Sequence, residues 1–168
     1  MTFSKSTTKT AGKTYSTYRF TPDRIFQGTG GSRMINRGER QTFCKKERLC
    51  RTKLIEELFE EGNVFYTSQF RIIWLISSTS LPSPAQIAIS VPKKNIRLAV
   101  SRNLVKRRIR EAYRRIKHLL YDFLGSENIQ IAFILIYRQN RITDFKKIEK
   151  SLVEVIDKLC ENIRQKHG

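Results

Sequence analysis

The chain has 168 residues, of which 33 are lysine or arginine and 15 are aspartate or glutamate, giving a formal net charge of +18. Hydrophobic residues make up 39% of the chain, enough for one folded domain, but no apolar run approaches the roughly 20 residues of a membrane-spanning helix. This balance argues against a membrane-spanning protein and favours a polyanionic partner, which can be RNA, DNA or an anionic membrane surface.

The expected compartment is the cytoplasm. The N-terminus lacks the apolar core of a secretory signal. The three cysteines, Cys44, Cys50 and Cys160, are odd in number and form no CxxC pair, so we expect reduced thiols and no disulfide framework.

Residues 1–41 are predicted to form a flexible, basic extension. They are rich in Ser, Thr and Gly, include eight basic and two acidic residues, and carry apolar residues without a period. Such a composition buries too little surface to offset its ordering entropy. Three interpretations stay open: a dispensable tail, a basic arm that orders on contact with RNA, and a wrongly chosen start codon. The folded domain is expected over residues 42–168.

The rest of the sequence predicts an α+β fold with elements in the order α-β-β-α-β-α, and one further strand if the first long strand is bent or split. The predicted elements are a helix over 52–62, strands over 64–78 and 86–91, a basic helix over 101–125, a strand over 129–137 and a helix over 143–163. The strand over 129–137 is almost continuously apolar, which is typical of a central strand covered on both faces. We expect a two-layer sandwich with the helices packed on a small sheet.

The basic helix is predicted to have an apolar side and a cationic side. Apolar residues recur every three or four positions from Val105 to Phe123, which predicts a buried stripe. Ser101 is the expected N-cap and Gly125 the expected end. Between Arg102 and Lys117 there are eight basic residues and one acidic residue. The residues predicted to lie opposite the stripe are Asn103, Lys106, Arg107, Arg110, Arg114 and Lys117.

Two interpretations of this cationic side remain. Charged helix faces are often simply solvated. However, Lys106, Arg110 and Arg114 place three like charges at i, i+4 spacing, which is unfavourable unless a polyanion neutralises them. The pattern therefore favours a nucleic-acid or phosphate surface.

The basic stretch resembles the signature of the bacterial ribonuclease P protein family, KK-x-G-x-A-V-x-R-N-R-x-K-R-x-x-R-E. The matching residues are Lys94, Ala99, Val100, Arg102, Asn103, Lys106, Arg107, Arg110 and Glu111. The resemblance covers roughly residues 42–163, because 42–49 and 54–62 also look like the start and first helix of the family. Three positions depart from the pattern: Arg97 replaces a glycine, Leu98 a polar residue and Leu104 the second arginine of Arg-Asn-Arg.

The resemblance implies an accessory protein subunit of an endoribonuclease (a hydrolase). Such a subunit binds the catalytic RNA and the 5′ leader of precursor tRNA and assists removal of the leader. The RNA subunit is expected to perform the chemistry and to hold most of the Mg²⁺. The resemblance also implies a left-handed crossover between the parallel strands that flank the basic helix, although most such crossovers are right-handed. No membrane contact and no obligate protein partner are expected.

By resemblance, the RNA-binding residues are Lys93, Lys94, Arg102, Asn103, Lys106, Arg107, Arg110 and Arg114. The family binds the leader in a cleft between the first helix and the sheet, and Phe59 matches a family aromatic there. An equally weighted interpretation makes Phe59 a core residue, because it belongs to the apolar stripe of Leu54 and Leu58.

Two other functions compete with this one. A non-enzymatic RNA- or ribosome-binding protein would have no reason to keep the Arg-Asn, Lys-Arg and Arg-Glu spacing. A self-sufficient nuclease would need carboxylates converging on a metal, whereas the glutamate pairs at 56–57 and 60–61 are typical of a solvated helix surface. His118 and His167 have no partner at metal-ligand spacing, so we predict no catalytic or metal-binding residue in this chain.

Overall fold

Apolar residues in short runs build a four-stranded sheet. In the computed structural model, which describes residues 42–167, the strands are β1 (Asn63–Tyr66), β2 (Phe70–Ile76), β3 (Ala85–Ser90) and β4 (Ile131–Tyr137). Their spatial order is β1-β2-β4-β3, with antiparallel β1–β2 and β2–β4 pairs and a parallel β3–β4 pair. The predicted extension, residues 1–41, lies outside the described residues.

The first long strand is split, as the sequence allowed. Thr67 closes a tight turn between β1 and β2, because its backbone N–H donates to the Phe70 carbonyl at 2.9 Å and its hydroxyl accepts from the Phe70 N–H at 3.3 Å. The turn folds β1 back against β2 and leaves β1 at one edge of the sheet.

Three helices complete the fold: α1 (Thr52–Glu61), α2 (Ala99–Glu127) and α3 (Phe145–His167). Strand β4 is central and buried, as predicted. Its Phe133 and Leu135 belong to the apolar cluster formed with α2 and α3, whereas Ala132 and Ile134 belong to the cluster formed with α1. Since alternate residues of a strand point to opposite faces, α1 covers one face of the sheet and the α2–α3 pair covers the other. The α+β class is confirmed, and α1 adds partial cover on the second face of the predicted sandwich.

Helix α2 connects the parallel neighbours β3 and β4. The left-handed sense of this crossover stays a prediction. Within residues 42–167, none of the helices combines the length and apolarity that a bilayer span requires.

Both ends of α2 differ from the prediction. The helix begins at Ala99 and its N-cap is Leu98, which makes no side-chain cap hydrogen bond, so Ser101 lies inside the first turn. The helix continues past Gly125 to Glu127, and Asn128 adopts the left-handed conformation at φ 53° and ψ 40°. Asparagine tolerates this conformation, and its N–H donates to carbonyls of the last turn.

Gly62 ends α1 as predicted, but the reason is steric. Its φ of −67° is accessible to any residue. A Cβ at this position would lie 2.1 Å from the Leu58 carbonyl oxygen and 2.7 Å from Cγ2 of Ile73 on β2. Glycine therefore lets the end of α1 approach the sheet closely.

The segment before α1 lies along the sheet. A short 3-10 turn covers Lys45–Glu47, and Arg48 forms a parallel bridge with Ile87 of β3. The Leu49 N–H donates to the Ile87 carbonyl at 3.1 Å, and the Gln86 side chain donates to the Lys46 carbonyl at 2.9 Å. This segment thus occupies part of the outer edge of β3.

Candidate nucleic-acid interface

Four polar residues of α2 form a surface that we call the cationic ridge: Asn103, Lys106, Arg107 and Arg110. The buried residues of α2, among them Val105, Ile109 and Tyr113, hold the opposite side of the helix in the core. Lys106 is half-buried and the other three residues are exposed. None of the four side chains makes a hydrogen bond or ion pair with any part of the chain that the structure describes.

Two more free cations, Lys93 and Lys94, lie in the turn between β3 and α2. The Asn95 and Ile96 N–H groups donate to the Pro92 carbonyl at 3.1 and 3.2 Å, and the Asn95 side chain donates to the Tyr137 carbonyl at 2.8 Å. The turn is therefore fixed to the sheet while both lysines are exposed, without a partner among residues 42–167.

Arg102, which the resemblance implies as an RNA-binding residue, makes hydrogen bonds to the backbone just before α2. Its Nη1 donates to the Ile96 carbonyl at 3.1 Å and to the Arg97 carbonyl at 2.6 Å. The side chain thereby ties the segment before α2 to the first turn of the helix. An arginine has five N–H donors, so others remain available to a phosphate. Arg97, which stands in place of a glycine, does not adopt a positive φ, so the replacement needs no strained backbone.

Arg114 is predicted to bind RNA, but its charge is already compensated. Its Nε and Nη2 donate to the two carboxylate oxygens of Glu111 at 2.9 and 2.6 Å. Arg115 also donates to Glu111, at 3.2 Å, and lies 3.5 Å from Glu149. The hydrogen bond from Arg114, and then that from Arg115, hold the pKa of Glu111 at about 2, well below its usual value. The surface of uncompensated charge therefore ends near Arg110.

Lys117 is not on the exposed cationic side, contrary to prediction. It is largely buried and forms an ion pair with Glu47, and it also donates to the Thr42 carbonyl at 2.9 Å. The Tyr121 hydroxyl donates to Glu47 at 3.1 Å, and the Cys44 N–H donates to the same carboxylate at 2.9 Å. Lys117 therefore anchors the segment before α1, and its partner lies 70 residues away in sequence.

Phe59 on α1 is 60% exposed, so the interpretation that it is a core residue is wrong. Leu54 and Leu58 of the same helix are buried against the sheet. Ile55, one turn before Phe59, is partly buried at the margin of that contact. Phe59 is thus placed beside the helix–sheet interface and has an accessible ring.

On the face of the sheet that α1 covers, the structure shows further candidate residues that were not predicted from the sequence. Tyr66 pairs with Arg71, Val64 with Ile73, and Arg71 with Ile136. Because Ile73 packs in the cluster with α1, Tyr66, Val64 and Arg71 belong to the face of the sheet that α1 partly covers.

This face combines accessible rings with cations. Tyr66 is exposed, and the guanidinium of Arg138 lies 5.2 Å from the centre of its ring. The Nε of Arg71 is buried and has no hydrogen-bond partner in the described part of the chain. We call Phe59, Tyr66 and Arg71, with Val64 and Arg138, the α1-side cleft. The sequence of β1, Asn-Val-Phe-Tyr, does not alternate between polar and apolar residues, and only the strand register joins Tyr66 to Arg71.

Histidine, cysteine and carboxylate side chains are the ligands that a metal site in this chain would need. Within the described residues, no group of three or more is close enough to hold a metal ion. His118 is exposed on α2, and the side chain of His167 lies outside the described part.

Comparison with known proteins agrees with the fold and with the family resemblance of the sequence. A family model described as Ribonuclease P matches residues 43–160. The ribonuclease P protein component of Porphyromonas gingivalis is 33% identical over 119 residues, which cover 71% of this chain and 87% of that protein. The component from Petrotoga mobilis is 32% identical over 124 residues, which cover 72% and 98%. The fold is similar to a solved RNase P protein structure from Staphylococcus aureus, with a TM-score of 0.50, 25% identity, and coverage of 71% and 93%.

Proposed function

The chain belongs to the ribonuclease P protein family, and on that premise we propose that its cationic ridge binds the catalytic RNA of this endoribonuclease. The observation that carries the proposal is the contrast along α2. Arg114 and Arg115 are compensated by Glu111, whereas Lys106, Arg107 and Arg110 make no ion pair within residues 42–167. Lys106 and Arg110 are one helical turn apart and repel each other. A bound polyanion would neutralise both charges, and the release of counterions from the RNA would add to the binding free energy.

The side chains of the ridge suit the RNA backbone. Arg107 and Arg110 can each make forked hydrogen bonds to a phosphate, and Lys106 adds a mobile point charge. Asn103 offers a donor and an acceptor, which matches a ribose 2′-hydroxyl. Arg102 holds the backbone beside this surface, so we assign it a positioning role together with any phosphate contact that its remaining donors make.

The α1-side cleft is the proposed site for the 5′ leader of precursor tRNA. Single strands bind where accessible rings for base stacking alternate with cations for the backbone. Phe59 and Tyr66 supply such rings. Arg71, which is half-buried and paired with Tyr66 across the strands, supplies a cation for the backbone of the leader.

Cleavage of the phosphodiester bond is assigned to the RNA subunit, and Mg²⁺ is expected to be held mainly there. The protein would then act by neutralising RNA charge and holding the substrate. We propose a cytoplasmic location, no obligate protein partner, and a lowered Mg²⁺ requirement in the presence of the protein.

RNA binding can be tested by measuring affinity for the catalytic RNA over a series of salt concentrations. The variant Lys106→Ala/Arg110→Ala removes two free cations, and Arg115→Ala is the matched control because Arg115 is already paired with Glu111 and Glu149. For two lost phosphate contacts we expect the negative slope of log K against log salt to become shallower by about 1.4–1.8. The control should change the slope by much less. Equal effects of the two variants would contradict the ridge as the binding surface.

The assisting role can be tested by reconstitution. The full chain, the catalytic RNA and a precursor tRNA are combined across a Mg²⁺ series, with and without the protein. We expect the protein to move the midpoint of cleavage to lower Mg²⁺. Cleavage by the protein alone would indicate a self-sufficient nuclease, and no effect of the protein in any mixture would favour a non-enzymatic RNA- or ribosome-binding role.

A further inference from the structure

Exposed apolar side chains lie directly beside the cationic ridge. Three of the large apolar residues that are exposed in the described chain lie within seven positions at the start of α2: Leu98, Val100 and Leu104. Val100 is 81% exposed and Leu104 is 36% exposed. They are four residues apart, so they are neighbours on one side of the helix. We call Val100 and Leu104 the apolar edge.

Cations border the apolar edge on two sides. Arg107, one turn after Leu104, is exposed and makes no ion pair with the described residues. Arg108 is held in place on the other side, because its Nη1 donates to the Thr143 carbonyl at 2.6 Å. A surface cavity of about 450 Å³ connects Leu104 with Arg107, Arg108 and the ring of Phe145. Its volume lies in the range of small-ligand sites, so it has room for a nucleobase.

The acidic residue in this cavity does not repel an anion strongly. Glu111 lines the cavity, but its carboxylate accepts hydrogen bonds from Arg114 and Arg115. The local charge is therefore positive. A phosphate can approach Arg107 while an apolar or stacked group occupies the space over Leu104.

We propose that the apolar edge receives an unpaired nucleotide of the RNA that the ridge binds, with its base or ribose on Val100 and Leu104 and its phosphate on Arg107. This proposal rests on the proposed function and specifies how that surface contacts RNA. A continuous duplex presents phosphates and 2′-hydroxyls, so a cation at position 104 would bind a duplex better than Leu104 does. An unpaired nucleotide exposes the face of its base, which gains from apolar and guanidinium contact.

A protein partner fits this surface less well. Two aliphatic side chains surrounded by arginines provide a small fraction of the roughly 1,200 Å² that a specific protein interface buries. A second copy of the chain, with its net charge of +18, would also bring like charges together at the ridge. An unpaired RNA nucleotide needs only a small apolar contact and is attracted by the surrounding cations.

The test compares Val100→Ala/Leu104→Ala with Ile142→Ala in the full 168-residue chain. Ile142 is also an exposed aliphatic residue, and it lies outside the ridge. Affinity is measured over a salt series for the catalytic RNA and for a fully paired RNA duplex. For the catalytic RNA we expect the double variant to lose about tenfold in affinity, as for loss of one stacked base, with an unchanged salt slope. Its affinity for the duplex, and the affinity of the control for both RNAs, should not change.

A second variant, Leu104→Arg, tests the same idea in the opposite direction. It should steepen the salt slope by about 0.7–0.9, as expected for one added phosphate contact. Unchanged affinity of the double variant for the catalytic RNA would overturn the inference, as would an equal loss for the duplex. If sedimentation instead showed that the double variant abolishes self-association without affecting RNA affinity, the apolar edge would be a protein contact and the inference would be wrong. The proposed function is tested by a different variant: it is wrong if Lys106→Ala/Arg110→Ala leaves the affinity for the catalytic RNA unchanged.

Discussion

The substitution Phe59→Ala separates a substrate contact from a packing contact. Because the ring is 60% exposed, about two-fifths of its surface is buried by folding. Full burial of a phenylalanine contributes about 1.5–3 kcal/mol, so the substitution should lower the free energy of unfolding by roughly 1 kcal/mol. If the ring stacks on one base of the leader, its loss should weaken leader binding by about 1–3 kcal/mol, or roughly 5- to 150-fold.

The assay measures the affinity of the reconstituted holoenzyme for precursor tRNA with and without its 5′ leader. We expect Phe59→Ala to reduce affinity only for the leader-bearing substrate, while urea unfolding shows the small loss in stability. Leu58→Ala is the matched control, because Leu58 is fully buried on the same helix. It should cost about 2–5 kcal/mol in stability. An unchanged preference of Phe59→Ala for the leader-bearing substrate would refute the assignment of the α1-side cleft.

Three further predictions concern the described chain. Replacing Lys117 with Met leaves the buried Glu47 carboxylate without its cation and should lower the free energy of unfolding, measured in urea, by about 3–5 kcal/mol. Adding Glu47→Leu should recover most of that stability. If it recovered none, the ion-pair account would be wrong. Burial raises the pKa of the Cys160 thiol to about 12, so iodoacetamide at pH 8 should modify the exposed Cys44 much faster than Cys160; equal rates by mass spectrometry would refute this. The folded-state pKa of Glu111, about 2, is below its usual value of 4.5, so its contribution to stability is present above pH 4.5 and is lost as the pH falls towards 2. The urea midpoint of the Glu111→Gln variant should therefore fall less steeply than that of the unsubstituted protein between pH 4.5 and pH 2. Identical pH profiles of the two proteins would contradict the pairing of Glu111 with Arg114 and Arg115.

Local sequence pattern was sufficient where a short period decides the structure. The three- and four-residue spacing of apolar side chains located α2 and its buried stripe, and the apolar run of β4 identified a central strand. The termini of α2 were predicted less well. Hydrogen-bonding propensity favoured Ser101 as the N-cap, but the helix begins two residues earlier, at Ala99. The Arg102 side chain bonds to carbonyls five and six residues before it, a contact that a short period does not reveal.

The local pattern was insufficient where the partner of a residue is distant in sequence. Helical geometry placed Lys117 among the exposed cations, but Lys117 is largely buried in an ion pair with Glu47, which lies 70 residues earlier in the sequence. The period likewise put Phe59 on the stripe of Leu58, whereas α1 meets the sheet along a narrower contact that leaves the ring outside. Arg71 belongs to the α1-side cleft only because strand pairing sets it beside Tyr66.

The segment that Lys117 anchors has a consequence for solubility. It lies along β3, an edge strand, where Leu49 bonds to the Ile87 carbonyl and Lys46 accepts from Gln86. Unprotected edges invite strand pairing between molecules and lead to aggregation. Removing the chain through Leu49 would uncover the edge of β3. The truncated protein should therefore aggregate when no RNA is bound, even though every residue of the cationic ridge is still present.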